Sequence, residues 1–176
     1  MFLEFKSWVV LESDQKFSCL MAYFDAPEII KWAKKHIKEK DVFEKEGFEA
    51  DSHVTILYGF HTNNYKDVEK LLKNTKPFEV TLGKISKFKT NPNFDVLKTE
   101  VKSKELFKLN KLCKTLDFTS NFDEYKPHCT LAYVKKDRCE EFIGEDIFND
   151  KKFKINELTF STPDRVKTKI KLEQHP

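Results

Sequence analysis

What the sequence is short of narrows it first. Only 4 of its 176 residues are glycine, and no stretch rich in Gly or Ser offers a flexible linker between domains. No apolar run approaches the roughly 20 residues needed to cross a bilayer, so no membrane partner is expected. An excess of one charge is missing too: 32 basic side chains meet 29 acidic ones, for a formal net charge of +3. Bulk nucleic-acid binding requires a basic stripe, so this balance argues against it while allowing a local positive pocket for a small phosphate-bearing ligand. The four cysteines, Cys19, Cys113, Cys129 and Cys139, form no Cys-x-x-Cys pair. The stretch Met1-Phe2-Leu3-Glu4-Phe5-Lys6 has charges inside its apolar run and no small-residue cleavage site. Free thiols in a reducing cytoplasm are therefore expected. There is no His-x-x-x-His, and His53 and His61 lack the spacing of zinc ligands, so neither a metal nor a cofactor is expected.

What is present can build a core. Hydrophobic residues make up 39% and aromatic residues 14%, with 17 Phe, and the length suits one domain over residues 1–176, either undivided or as two lobes sharing a core. Two stretches stand out, His53-Val54-Thr55-Ile56 and His128-Cys129-Thr130-Leu131, each followed two positions on by a tyrosine, Tyr58 and Tyr133. Both lie in runs of β-branched, aromatic and small apolar residues, which is how half-buried strands read. Strict alternation puts His53, Thr55 and Leu57 on one face, with Val54, Ile56 and Tyr58 on the other. The same rule groups His128, Thr130 and Ala132 against Cys129, Leu131 and Tyr133. Side by side, two such strands bring two imidazoles and two hydroxyls to one cleft, with both tyrosines on the core side.

In chain order, residues 2–11 read as a strand pairing with a second at 17–24. Asp25 is a candidate N-cap for a helix running to about residue 40, with Pro27 in its first turn. The first motif strand follows, then a helix opened by Asn64 with Val68, Leu71 and Leu72 as its apolar stripe. Residues 78–89 alternate as a strand with one slip around Gly83, and Asn91-Pro92-Asn93 turns the chain into a partner strand at 94–101. Ser103 opens a helix through Leu106, Leu109, Leu112 and Leu116. The loop 117–127 delivers the second motif strand. A short acidic helix near 140–143, a strand at 153–161 and a last strand at 166–172 complete the chain. This order is an approximate internal duplication and predicts an α+β fold: two pseudo-symmetric lobes of antiparallel strands flanked by helices around a central cleft.

Two imidazoles and two hydroxyls in one cleft suit metal-free phosphodiester cleavage. Imidazole, with an ordinary pKa near 6.5, gives and takes protons around neutrality. One histidine takes a proton from the attacking oxygen and the other protonates the leaving oxygen; the sequence does not say which is which. The threonine hydroxyls donate to the non-bridging oxygens as charge develops there. His53, Thr55, His128 and Thr130 are the expected catalytic residues. Tyr23, Phe122 and Tyr125 would either stack a nucleobase or pack in the core, and Lys167 would either attract phosphate or sit on a solvated strand face. His36, His61 and His175 are expected in solvent.

With its two His-x-Thr-apolar motifs in matching halves of a duplicated chain, the sequence resembles the 2H phosphoesterase superfamily. The contexts Asp51-Ser52-His53 and Tyr125-Lys126-Pro127-His128, with Phe160-Ser161-Thr162-Pro163-Asp164 before a Lys-rich strand, resemble the phage members that act as anti-CBASS nucleases. The resemblance implies a phosphodiesterase that hydrolyses small cyclic oligonucleotides in the host cytoplasm, with no obligate protein partner. The Arg-rich first strand common in the RNA-processing branch is absent, which argues against a large RNA substrate. Two alternatives stand: a 2′,3′-cyclic phosphodiesterase or 2′–5′ RNA ligase-like enzyme acting on RNA ends, and a sponge that binds a cyclic nucleotide without cutting it.

Overall fold

Residues 16–120 and 123–173 are described by the computed structural model. The strand expected over 2–11, the hairpin built on it, Phe122 and His175 lie outside the described residues. The chain runs β1 (Ser18–Tyr23), α1 (Pro27–His36), β2 (His53–Phe60), α2 (Tyr65–Leu72), β3 (Phe78–Phe88), β4 (Phe94–Lys102), α3 (Lys104–Cys113), β5 (His128–Lys135), β6 (Lys152–Ile155), β7 (Glu157–Ser161) and β8 (Lys167–Lys171). Two antiparallel four-stranded sheets result, ordered β2-β1-β7-β8 and β5-β4-β3-β6. The motif strands β2 and β5 each stand at the edge of their sheet, and these two edges meet along a seam.

The α+β expectation holds, with local differences. Helix α1 starts after Ala26 rather than at an Asp25 cap, and no side chain caps it. It ends at His36 because Ile37 turns extended (φ −84°, ψ 120°), leaving a separate 3-10 turn at Glu39–Asp41. Asn64 does cap α2, its side-chain oxygen accepting from the Lys66 N–H at 3.2 Å. Ser103 precedes α3 but makes no capping bond. The acidic segment contracts to a 3-10 turn at Glu140–Phe142. The strand expected over 153–161 is two strands in different sheets: β6 pairs with β3, and β7 pairs with β1 and β8. The chain crosses at Asn156, whose carbonyl accepts from the Leu172 N–H at 2.9 Å. The slip at Gly83 is a real β3 irregularity between Leu82 and Ile85, and the buried Thr99 hydroxyl donates to the Gly83 carbonyl at 2.8 Å.

One apolar cluster runs through both sheets, including Leu20, Val54, Ile56 and Phe60 from the first and Leu82, Leu97, Cys129 and Leu131 from the second. Burying each large aliphatic or aromatic side chain contributes about 1.5–3 kcal/mol. The helices cross over between sheets: α1 follows β1 yet packs on β5, and α3 follows β4 yet packs on β2. Each motif strand is thus backed by a helix whose preceding strand lies in the other sheet.

Candidate active site

Each motif contains a β-bulge at its fourth residue. In β2, Met21 pairs with Thr55 and Leu20 with Leu57, so Ile56 is the extra residue. In β5, Lys98 pairs with Thr130 and Leu97 with Ala132, so Leu131 is the extra residue. A one-residue insertion reverses the alternation of every side chain beyond it. The strict-alternation grouping is therefore corrected past the bulge. Leu57 and Ala132 turn into the core, and Tyr58 and Tyr133 come round to the side of their motif's His and Thr. Tyr58 is half-buried and its hydroxyl accepts from the Lys16 N–H at 3.0 Å. Tyr133 packs with Phe88, Phe94 and Val96 in a small second cluster.

A bulge leaves a carbonyl outside the regular ladder, and a buried one needs a partner. The Ile56 carbonyl accepts from the Asn110 side-chain amide of α3 at 2.8 Å, in a buried contact. The Leu131 carbonyl accepts from the Glu49 N–H at 3.3 Å. The outer edges of both motif strands are covered in part. Residues 42–49 pair along β5, and the Gly59 carbonyl accepts from Thr119 at 2.9 Å. Gly59 is needed there: its φ is +117°, and a Cβ would meet the Thr119 carbonyl oxygen at 1.9 Å.

The His and Thr ends of both strands face the seam. Contacts among the described residues join β2 to β5 and to the loop before it. The Tyr125 hydroxyl donates to the Thr55 carbonyl at 2.9 Å, and the Cys129 sulfur lies against the His53 N–H and the Ser52 hydroxyl. Burial pushes the Cys129 thiol up to about 12, so it is an inert packing group. Tyr125, expected as a stacking lip or a core residue, is partly buried against the core, with its ring edge-on to Phe107 and its hydroxyl bracing Thr55.

The two histidines are held alike. His53 Nδ1 lies 3.2 Å from the Asp51 carbonyl and His128 Nδ1 lies 2.8 Å from the Lys126 carbonyl, each the carbonyl two residues back. An Nδ1–H donating to that carbonyl fixes the tautomer and leaves Nε2 as the working atom. Beside them, the Tyr23 ring lies 5.1 Å from His53, tilted by 35°, and Phe88 meets His128 edge-on at 4.8 Å. Burial pushes the pKa of His128 down to about 4; the Lys126 carbonyl opposes this, while the charges of Lys98 and His53 add to it. His128 is thus neutral at physiological pH.

Lys167 reaches Tyr23, its Nζ donating to the hydroxyl at 3.1 Å, so the structure brings these two sequence candidates together beside His53. The sequence reading missed Lys98. Its residue is 5% exposed, its Nζ donates to Ser86 Oγ at 2.6 Å, and the ammonium lies 4.2 Å from the Phe88 ring centre. The one available signal was a lysine inside the apolar run Val96-Leu97-Lys98-Thr99; its register opposite Thr130 needed the sheet order. His61, expected in solvent, is exposed but bound, with Nε2 2.7 Å from Thr119 Oγ1 and the ring stacked on Phe17. Among the described residues, one acidic trio, Asp95, Asp137 and Glu140, is close enough to share a cation. The ammonium groups of Lys87, Lys89 and Lys136 already bind its oxygens.

Two four-stranded antiparallel sheets thus meet at edges that carry the paired His-x-Thr motifs. The family model of the 2′-5′ RNA ligase superfamily matches residues 26–167, and the chain belongs to that superfamily, whose members are typically phosphodiesterases. Among solved structures, E. coli LigT in complex with 3′-AMP is 19% identical, covering 88% of this chain and 94% of its own, with a TM-score of 0.61. TT0787 of Thermus thermophilus is 16% identical with a TM-score of 0.59, covering 89% of this chain and all of its own. A structure described as a phosphoesterase is 17% identical over 89% of this chain and 96% of its own, with a TM-score of 0.59. No curated protein matches the sequence. No helix among the described residues is long and apolar enough to cross a membrane.

Proposed function

We propose that the chain is a metal-independent phosphodiesterase that opens a small cyclic oligonucleotide, in the setting of phage counter-defence against cyclic-nucleotide immune signals. The observation carrying this reading is the matched pair of imidazoles, each locked through Nδ1 by the carbonyl two residues back, beside two bulge-positioned threonines. His128, neutral at physiological pH, takes the proton from the substrate's 2′-hydroxyl, which attacks the adjacent phosphorus. The bond from phosphorus to the 5′ oxygen breaks, and His53 supplies the proton that this oxygen takes up. Thr55 and Thr130 donate to the non-bridging oxygens as their charge grows. The product is a linear oligonucleotide ending in a 2′,3′-cyclic phosphate, which a water handled by the same pair can open.

A second reading is favoured by the family itself. LigT, a structural relative, was solved with 3′-AMP, and a site that opens 2′,3′-cyclic phosphates at RNA ends needs the same two histidines. Chromatography in EDTA against cyclic di- and trinucleotides, a 2′,3′-cyclic mononucleotide and a 5′-labelled short RNA separates the two. Opening of the rings supports the first reading, and conversion of the 2′,3′-cyclic phosphate alone supports the second. A ring that binds and elutes intact makes the protein a sponge and overturns both.

A further inference from the structure

In each lobe an aromatic ring contacts both a motif imidazole and a lysine ammonium. Beside His53 the ring is Tyr23, with Lys167 Nζ 5.3 Å from its centre. Beside His128 the ring is Phe88, with Lys98 Nζ 4.2 Å from its centre. Internal duplication does not account for this match. Lys98 comes from β4, the strand next to its motif strand, and lies in register with Thr130. Its counterpart in register with Thr55 is Met21. The first lobe instead takes its ammonium from β8, at the far edge of its sheet. Non-corresponding residues thus place a cation in each half of the cleft.

Lys98 is also held at a cost to the fold. It forms no ion pair among the described residues, and its hydrogen bond goes to a neutral hydroxyl. Burial lowers its pKa to about 8; the carboxylate of Glu100 opposes that shift and the charge of Lys126 adds to it, while the neutral groups Ser86 and Phe88 meet it from β3 and its charge reaches His128 on β5. Its side chain leans towards β3, away from Thr130, because its bond is to Ser86. Neighbouring strands are about 4.8 Å apart, so the bond to Ser86 draws the ammonium to one side of Thr130 rather than onto it.

From this arrangement we infer that Lys98 and Lys167 are two anion subsites flanking the reacting centre, so that the preferred substrate carries a phosphate on each side of the phosphodiester that is cut. A ring of three or more 3′–5′ linked nucleotides meets that requirement in full and a ring of two fills one subsite, whereas a 2′,3′-cyclic mononucleotide, whose only phosphate is the one opened, fills neither. The inference rests on the phosphodiesterase reading, and its test keeps the two separable.

The probes are the linear diadenylates ApA, pApA, ApAp and pApAp, which add phosphates one end at a time to a single cleavable linkage. The quantity read is the ratio of kcat/KM for pApAp to that for ApA. A charge-assisted contact of about 1.5–3 kcal/mol corresponds to a gain of tenfold or more per flanking phosphate. Lys98→Met, which installs the residue the first lobe has in register, should remove the gain from one end, and Lys167→Met the gain from the other. A wild-type ratio near one, or a ratio that neither variant changes, overturns the inference. Calorimetry with adenosine 3′,5′-bisphosphate and adenosine 3′-monophosphate reads the subsites without turnover. Tighter binding of the bisphosphate, weakened in one of the two variants, upholds the subsite that the extra phosphate reaches even if no dinucleotide is cut, in which case only the catalytic reading fails; a preference that neither variant weakens overturns it. Equal binding of the two to the wild type overturns the subsites whatever the turnover.

Discussion

Lys98→Met should make the protein more stable at neutral pH while damaging its site. Burial draws the Lys98 pKa from 10.5 to about 8, and at about 1.4 kcal/mol per pH unit the charged form is held at a cost of about 3 kcal/mol. Methionine keeps an unbranched apolar stem over Phe88 and discards the charge. It also forfeits the bond to Ser86 and the contact with the ring, together about 1–2 kcal/mol. The net gain is about 1–2 kcal/mol, or roughly 2–8 °C in Tm for a chain of this size. The sign of the pH dependence follows from the depressed pKa. Below about pH 8 the lysine is charged whether folded or not, and the advantage of methionine is full. As the pH rises from about 8 to the unfolded value, the folded lysine sheds its proton and the advantage disappears. Urea unfolding of both proteins at pH 7 and pH 10 reads this directly. A variant less stable than the wild type at pH 7, or equally improved at both values, would refute the reasoning and make Lys98 a structural anchor.

Three other outcomes follow from the site. Asn110→Ala orphans the buried Ile56 carbonyl at the bulge, so denaturation should show a loss of about 1–3 kcal/mol, and activity should fall because Thr55 and His53 precede that bulge. Gly59→Ala places a Cβ on the Thr119 carbonyl at a backbone angle that L side chains rarely adopt; it should cost at least about 2 kcal/mol, measured the same way. With His128 as the base and its pKa near 4, kcat/KM should hold down to about pH 4 and fall below it, as the neutral form is lost. Lys98→Met, by removing a repelling charge, should move that fall to higher pH; an unmoved fall would separate Lys98 from His128.

The motifs, the order of elements and the slip at Gly83 were legible in the sequence because each is a local pattern of alternation, turn chemistry or residue type. What stayed hidden depended on partners. The bulges at Ile56 and Leu131 are invisible to strict alternation, since Ile56 and Leu57 are both apolar and either phase reads acceptably. Only the pairing with Leu20 and Met21 shows the phase reversal that brings Tyr58 to the cleft side. The split of 153–161 left a faint trace, the step of three between the buried Ile155 and Leu158, but which sheet each half joins is set by distant strands. Lys98 and Asn110 went unread for the same reason: one acts across a strand pair and the other across a helix–strand contact.

The central claim is a single site that uses both histidines and no metal. Single-turnover cleavage in EDTA, by wild type, His53→Ala, His128→Ala and the double variant, tests that most directly. Each single change should cost about 10²–10⁴-fold, and the double variant should be little slower than either, as for groups that act together. Cleavage abolished by EDTA, or a single variant retaining a tenth or more of the wild-type rate, would contradict it.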